Sequence, residues 1–325
     1  MSRRGWALFA VMAVVWGTPY LLIRVAVTEL EPVVLVAVRA GLAALLLAPL
    51  AVRPGALRAV LRSWRPVLAY TVLEVTGPWL LLSHAEEELP SALTGLLVAA
   101  VPLVAAVATR LVGGDDRLTA GRALGLGVGL AGVAVLLGLD VRGAQVGAAV
   151  EVGLVALGYG TAPLVVSRSL RDVPPLAVIT ASLVITAVVY APFAAASLPA
   201  RWPSGQVVTS VVLLTVVCTA AAFVVFFALI AEVGPNRALV ITFLNPVVAL
   251  ALGIALLDER FTPGMAIGFP LVLLGCWLAT RRPAAPGDPA APADPASREG
   301  SAAPAVDEAA PVAAAADDSP GAGPR

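Results

Sequence analysis

Asp115-Asp116-Arg117-Leu118-Thr119-Ala120-Gly121-Arg122-Ala123-Leu124-Gly125 returns 143 positions later as Asp258-Glu259-Arg260-Phe261-Thr262-Pro263-Gly264-Met265-Ala266-Ile267-Gly268, with six of the eleven positions identical. The same offset pairs Trp16-Gly17-Thr18 with Tyr159-Gly160-Thr161, Pro32 with Pro175, and Ala48-Pro49 with Ala191-Pro192. A fixed offset held from the start of each copy to its end is the mark of an internal duplication. The two copies cover residues 1–139 and 140–282.

Each copy contains five apolar runs of the length a bilayer requires, about 20 helical residues for a core roughly 30 Å thick. They lie at 6–27, 33–52, 67–83, 91–112 and 120–139 in the first copy, and at 144–166, 176–197, 207–231, 235–257 and 263–280 in the second. Five is odd, so the second copy enters the membrane from the opposite side. The expected fold is an all-α integral membrane protein of ten transmembrane helices arranged as two inverted five-helix repeats. Inverted repeats with a site between them near the bilayer midplane characterise secondary transporters.

Composition agrees. Of 325 residues, 59% are hydrophobic and 13% charged, and mean hydropathy is +0.93. A soluble domain carries about twice that charge, which excludes a soluble enzyme, a nucleic-acid binder or a disordered scaffold. The basic residues are all arginine, which with the Ala, Val, Pro and Gly bias points to a GC-rich bacterial genome and hence to a bacterial plasma membrane. Basic residues gather on cytoplasmic loops. Placing the N-terminus inside puts fourteen arginines in the cytoplasm (Arg3, Arg4, Arg53, Arg58, Arg62, Arg65, Arg110, Arg117, Arg122, Arg168, Arg171, Arg237, Arg281 and Arg282) against Arg142, Arg201 and Arg260 outside. Both termini are then cytoplasmic. From Pro283 the chain is Ala, Pro, Gly, Asp and Ser without periodic apolar residues, which reads as a disordered cytoplasmic tail over 283–325. Cys218 and Cys276 sit in apolar runs and read as small core residues, not a disulfide or metal pair. No cofactor or metal is expected, and without lysine no Walker-type phosphate loop can exist.

Ionisable side chains at membrane depth cost roughly 2.5–3.5 kcal/mol on insertion scales, so those present are candidate site residues. Glu74 lies mid-run, one turn from Tyr70 and from Pro78, and is the proton-coupling candidate, able to take up and release a proton as access alternates; the competing reading is a structural ion pair with Arg39. Arg39 has three readings: a bidentate hold on a substrate carboxylate, a clamp on Glu74, or snorkelling to the interface. Trp16, Tyr20 and Arg24 share a stripe within about 80° on a straight helix, either facing the cavity or with Arg24 anchored at the interface. Glu151 and Tyr159, the latter the repeat mate of Trp16, are further cavity candidates. Trp6, Trp79, Trp202 and Trp277 read as interfacial belt residues. His84-Ala85-Glu86-Glu87-Glu88 reads as a solvated acidic loop, and Thr119 and Thr262 as helix caps. The prolines within runs (Pro19, Pro49, Pro78, Pro102, Pro163, Pro192, Pro246, Pro270) favour kinks.

Trp16-Gly17 in the first run, Arg39 in the second, and Asn245-Pro246 followed by Asp258-Glu259-Arg260-Phe261-Thr262 resemble an EamA-type member of the drug/metabolite transporter superfamily, over about residues 5–281. The resemblance implies a ten-helix carrier that exports amino acids, other small metabolites or drugs by alternating access. It also implies a cavity position at Asn245, where many relatives carry Glu. The expected partners are a small-molecule substrate and the lipid bilayer, with no nucleic acid; a monomer is sufficient, and a dimer is the alternative. An importer or facilitator on the same fold is the alternative. An intramembrane enzyme is more distant, because the buried carboxylates are scattered and the one histidine falls in a loop.

Overall fold

The computed structural model describes residues 2–111, 120–143, 145–234 and 238–280. The tail over 283–325, and with it the expectation of disorder, lies outside the described residues, as do Arg117, Thr119 and Arg237. Among the described residues there are ten helices long and apolar enough to cross a membrane. We number them α1 (Arg3–Ala26), α2 (Pro32–Ala51), α3 (Trp64–Glu88), α4 (Ser91–Leu111), α5 (Ala120–Asp140), α6 (Gln145–Ser169), α7 (Pro175–Ala196), α8 (Gly205–Val233), α9 (Val240–Leu257) and α10 (Pro263–Thr280). A short helix, Ala56–Arg62, precedes α3. Large apolar side chains such as Leu45, Val188 and Leu130 stand exposed on the outer faces, as a lipid-facing surface requires.

One boundary that departs from the sequence reading is the end of α3. The stretch read as a solvated acidic loop is helical to Glu88, because His84 to Glu88 contains no helix breaker and Ala85 and Glu86 pack inward, fully buried. The helix stops at Leu89, whose following Pro90 disfavours helical geometry in the residue before it.

Among the described residues five helices are irregular, and four of them form matching pairs. α3 widens to a π turn at Val72–Thr76 and α8 at Val216–Ala221. α4 is interrupted at Ala99 and Ala100, just before Pro102. α9 is entered through a 3-10 turn, Leu239–Phe243, and becomes α-helical only at Asn245, with Pro246 in its first turn. α1 breaks between Gly17 and Pro19, where proline supplies no N–H and its ring crowds the preceding turn. A Cβ on Gly17 would lie 2.8 Å from the Asn245 carbonyl and 2.5 Å from Val248, so only glycine lets α1 lie this close to α9.

Helices that share a place in the two copies pack together: α5 with α10, α2 with α7, α4 with α9. The other large contacts exchange in the same way, α1 with α8 against α6 with α3, and α1 with α9 against α6 with α4. The α5–α10 seam is built on glycine: a Cβ on Gly275 would stand 2.2 Å from the Gly129 nitrogen, and one on Gly132 would stand 2.7 Å from the Gly268 carbonyl. Lipid tails offer no hydrophobic drive for helix association, so close backbone approach supplies the dispersion contact instead. Between α3 and α7, Thr71 donates to Ser182 (2.8 Å), Thr76 and Thr186 share a hydrogen bond (2.7 Å), and Tyr190 donates to the Thr76 carbonyl (2.9 Å).

Candidate functional site

The centre of the bundle gathers polar and aromatic side chains from both copies around Arg39. Its side chain on α2 is buried, and its Nε donates to the Thr219 hydroxyl at 3.0 Å. Thr219 belongs to the π turn of α8 and donates in turn to the Leu214 carbonyl five residues back, at 2.8 Å. The guanidinium lies 3.6 Å from the centroid of the Trp79 ring. A desolvated cation over an indole gains about 2 kcal/mol or more, and here it takes the place of an ionic partner. Trp79 is therefore not an interfacial belt residue: it is buried beneath Arg39, and the cation satisfies the ring face that a headgroup was expected to meet. Trp202, by contrast, is 93% exposed.

The ion pair of Arg39 with Glu74 does not form. Glu74 stands half-buried in the π turn of α3, and among the described residues it makes neither a salt bridge nor a hydrogen bond. Tyr70, one turn before it, and Tyr159 on α6 both lie within electrostatic range of it, and Tyr159 lies within range of Arg39 as well. Tyr20, just past the α1 break, is in range of Tyr159 and Glu86, and its ring rests against Gly95 of α4. Trp16 packs edge-on to Phe223 at 6.1 Å and tilted against Phe226 at 4.6 Å, which makes an aromatic wall between α1 and α8. Arg39, Glu74, Tyr70, Tyr159 and Tyr20 are thus brought into one neighbourhood, with Trp16 at the neighbouring α1–α8 interface.

Three candidates sit elsewhere or are otherwise engaged. The Asn245 amide, oriented with its NH2 toward carbonyls, donates to Ile241 (3.0 Å) and Ala13 (3.3 Å), and so pins the entry of α9 to α1. Glu151 places both carboxylate oxygens 2.9 Å from His84 Nδ1, close to the end of α3. Arg24 donates to the carbonyls of Glu86 and Glu87. A cation on the last carbonyls of a helix suits its partial negative charge.

These last contacts lie at the end of the bundle where α1 meets α2, α3 meets α4, and α9 meets α10, and there the two copies are latched. Glu259 accepts from the backbone N–H groups of Ser91 (2.7 Å) and Ala92 (2.8 Å), a carboxylate cap on the first turn of α4. Gln145 donates to the Glu88 carbonyl at 3.3 Å, and Glu29 accepts from the Ser204 N–H at 2.7 Å. Thr262 caps α10 through the Met265 N–H at 3.1 Å. A pocket of about 330 Å³ opens here, lined by Arg24, Thr28, Glu29, Ser204, Gln206 and Glu259 among others. At the opposite end, Ser2 and Arg4 reach Glu232 at 2.5 and 3.8 Å. Sequence reasoning missed Glu259 and Glu86. The first was visible only as a member of the repeated motif, and no periodicity marks the second.

The hydrogen bonds from Ser204 hold the Glu29 carboxyl below its ordinary value of 4.5. A lowered folded value means that this contact contributes fully above the ordinary value and is lost as pH falls through the lowered one. Protection of the Ser204 amide from exchange, compared with Glu29→Gln at each pH, should persist at neutral pH and vanish only in acid below about 4.5. A difference absent at neutral pH would refute the latch.

A model of the EamA-like transporter family matches residues 3–138 and again 150–281. The uncharacterized inner membrane transporter YedA of Escherichia coli K12 is 27% identical over 293 residues, covering 85% of this chain and 92% of its own length, and its counterparts in the O6:H1 and O157:H7 strains match equally. A crystal structure of a protein 22% identical, covering 86% of this chain and 97% of that one, superposes with a TM-score of 0.59 and has the same fold.

Proposed function

The chain belongs to the EamA-like transporter family, and on that premise we propose that this membrane transporter is a secondary active exporter of amino acids or related small metabolites or drugs, working by alternating access in the bacterial plasma membrane. The two copies, 1–139 and 140–282, act as inverted repeats with both termini cytoplasmic, and one chain suffices. The double match to the family model, the arginine distribution and the exchange of helix contacts between the copies support that arrangement.

The observation that carries the reading is the placement of matching irregular helices around one polar cluster. π turns recur at functional positions, and in carriers non-helical backbone gathers where helices line a site. Here the π turns of α3 and α8 hold Glu74 and Thr219, the partner of Arg39. In this reading Arg39 meets a substrate carboxylate with bidentate geometry, and Trp16 with Phe226 receives an apolar side chain. Tyr70, Tyr159 and Tyr20 supply hydroxyls, and Glu74 carries the coupling proton. Asn245 positions the α9 entry, and Glu151 with His84 belongs to the latch.

Flux of labelled amino acids, a cationic dye and a sugar phosphate in proteoliposomes, with and without an imposed pH gradient, tests this reading. Gradient stimulation of one substrate class is expected, and Glu74→Gln should cut the stimulated rate more than tenfold, to the level seen without a gradient. Flux that ignores both the gradient and the substitution would make the protein a facilitator and overturn the coupling role of Glu74.

A further inference from the structure

Glu86, in the last turn of α3, is a fully buried ionisable side chain that the transport reading leaves unused. It is 0% exposed, and neither carboxylate oxygen has a hydrogen-bond partner among the described residues. Two guanidinium groups lie within electrostatic range, and both are spent elsewhere: Arg24 on the carbonyls of Glu86 and Glu87, Arg39 on Thr219 and Trp79. Neither forms an ion pair with the carboxylate. An isolated ionised carboxylate in apolar surroundings is so unfavourable that such a group neutralises instead. Neutrality requires a bound cation. The pocket of about 330 Å³ at this end reaches Arg24 and Glu259 but is not lined by Glu86. A proton is the one cation that needs no volume.

We propose that Glu86 is a proton-binding site, loaded while this end of the bundle is closed and exchanged when it opens. Position supports this. Trp79, Ser83 and Glu86 follow one face of α3, with the Ser83 hydroxyl folded back on the Trp79 carbonyl at 2.8 Å. Glu86 therefore stands between the Arg39 cluster and the latched pocket, with Arg24 closing the turn above it. Release of Arg24 from the two carbonyls would admit water and free the guanidinium to meet the carboxylate. The charged and titratable groups on the elements packed around this turn are Tyr20 and Arg24 on α1, Arg39 on α2, Glu151 and Tyr159 on α6, and Glu259 in the α9–α10 connection. On α3 itself they are His84, Glu87 and Glu88. Of these, Glu151 is held by His84 and Glu259 by the α4 amides.

The opening step rests on the alternating-access reading; the site itself does not. Infrared difference spectroscopy on the full chain in liposomes, with pH steps and no substrate, detects the carbonyl stretch of a protonated buried carboxyl. Wild-type protein should show this band at neutral pH, and Glu86→Gln should lose the component of it that Glu74→Gln retains. If the Gln variant does not fold, Glu86→Asp should move the band. A band unchanged by either Glu86 substitution overturns the proposal. Loss of the band in Glu86→Gln, with no flux of any substrate in wild type, would keep the proton site and overturn the transport reading. Gradient-driven flux with an unchanged band would do the reverse.

Discussion

Gly275→Ala is expected to leave little folded protein, while Gly127→Ala, on the helix packed against it, is expected to leave the protein intact. The added methyl at 275 would stand 2.2 Å from the Gly129 nitrogen, 2.3 Å from its Cα and 2.7 Å from the Gly125 carbonyl. All three obstacles are backbone, so no rotamer change relieves the clash and α5 and α10 must separate. Overpacking usually costs about 1–3 kcal/mol; a methyl forced between two backbones belongs at or above the top of that range. Gly127 has nothing within 4 Å of the same added atom. Exchange to alanine there gains up to about 1 kcal/mol of helix propensity. Thermal melts of the two variants in detergent decide the matter: a Gly275→Ala protein that melts within a few degrees of wild type would mean that the helices do not approach this closely.

Arg39→Met is expected to fold normally and to lose transport. Removing the buried charge also removes its desolvation cost, which offsets the lost contact with the Trp79 ring. Thr219 is not orphaned by the exchange, because its hydroxyl keeps the Leu214 carbonyl. What disappears is the cation over Trp79 in the central cluster. A hydrogen bond to a charged group contributes about 1.5–3 kcal/mol, so substrate affinity should fall roughly ten- to a hundredfold. Arg39→Lys keeps the charge without the planar fork and should recover only part of the loss. Substrate-concentration dependence of flux is the readout. A variant with normal flux would assign Arg39 to packing with Trp79 alone.

The ten membrane crossings were legible in the sequence because a spanning helix is specified locally: about 20 apolar residues satisfy the bilayer whatever surrounds them. The repeated motif likewise located the Thr262 cap without knowledge of any partner. Burial of a charged side chain has no such local mark. Glu86 and Glu87 are neighbours in one acidic run, yet one is enclosed and the other exposed, and helical phase alone did not reveal which face meets other helices.

Hydropathy by itself therefore determined the membrane class and the number of candidate crossings, since both depend on solvent preference summed along short windows, and the fixed offset of repeated residues showed the doubling of the chain. Tertiary structure alone decided the partners. Arg39 finds Thr219 at a distance of 180 residues in sequence, Ser91 and Ala92 find Glu259 at 168 and 167, and Arg24 reaches the end of α3 at 62. Whether an ionisable group in a membrane meets a donor, an acceptor or a ring, or none, depends on what the packed helices bring close. That geometry is set by the glycine seams and π turns that position the helices, not by the residue's own neighbours in the chain.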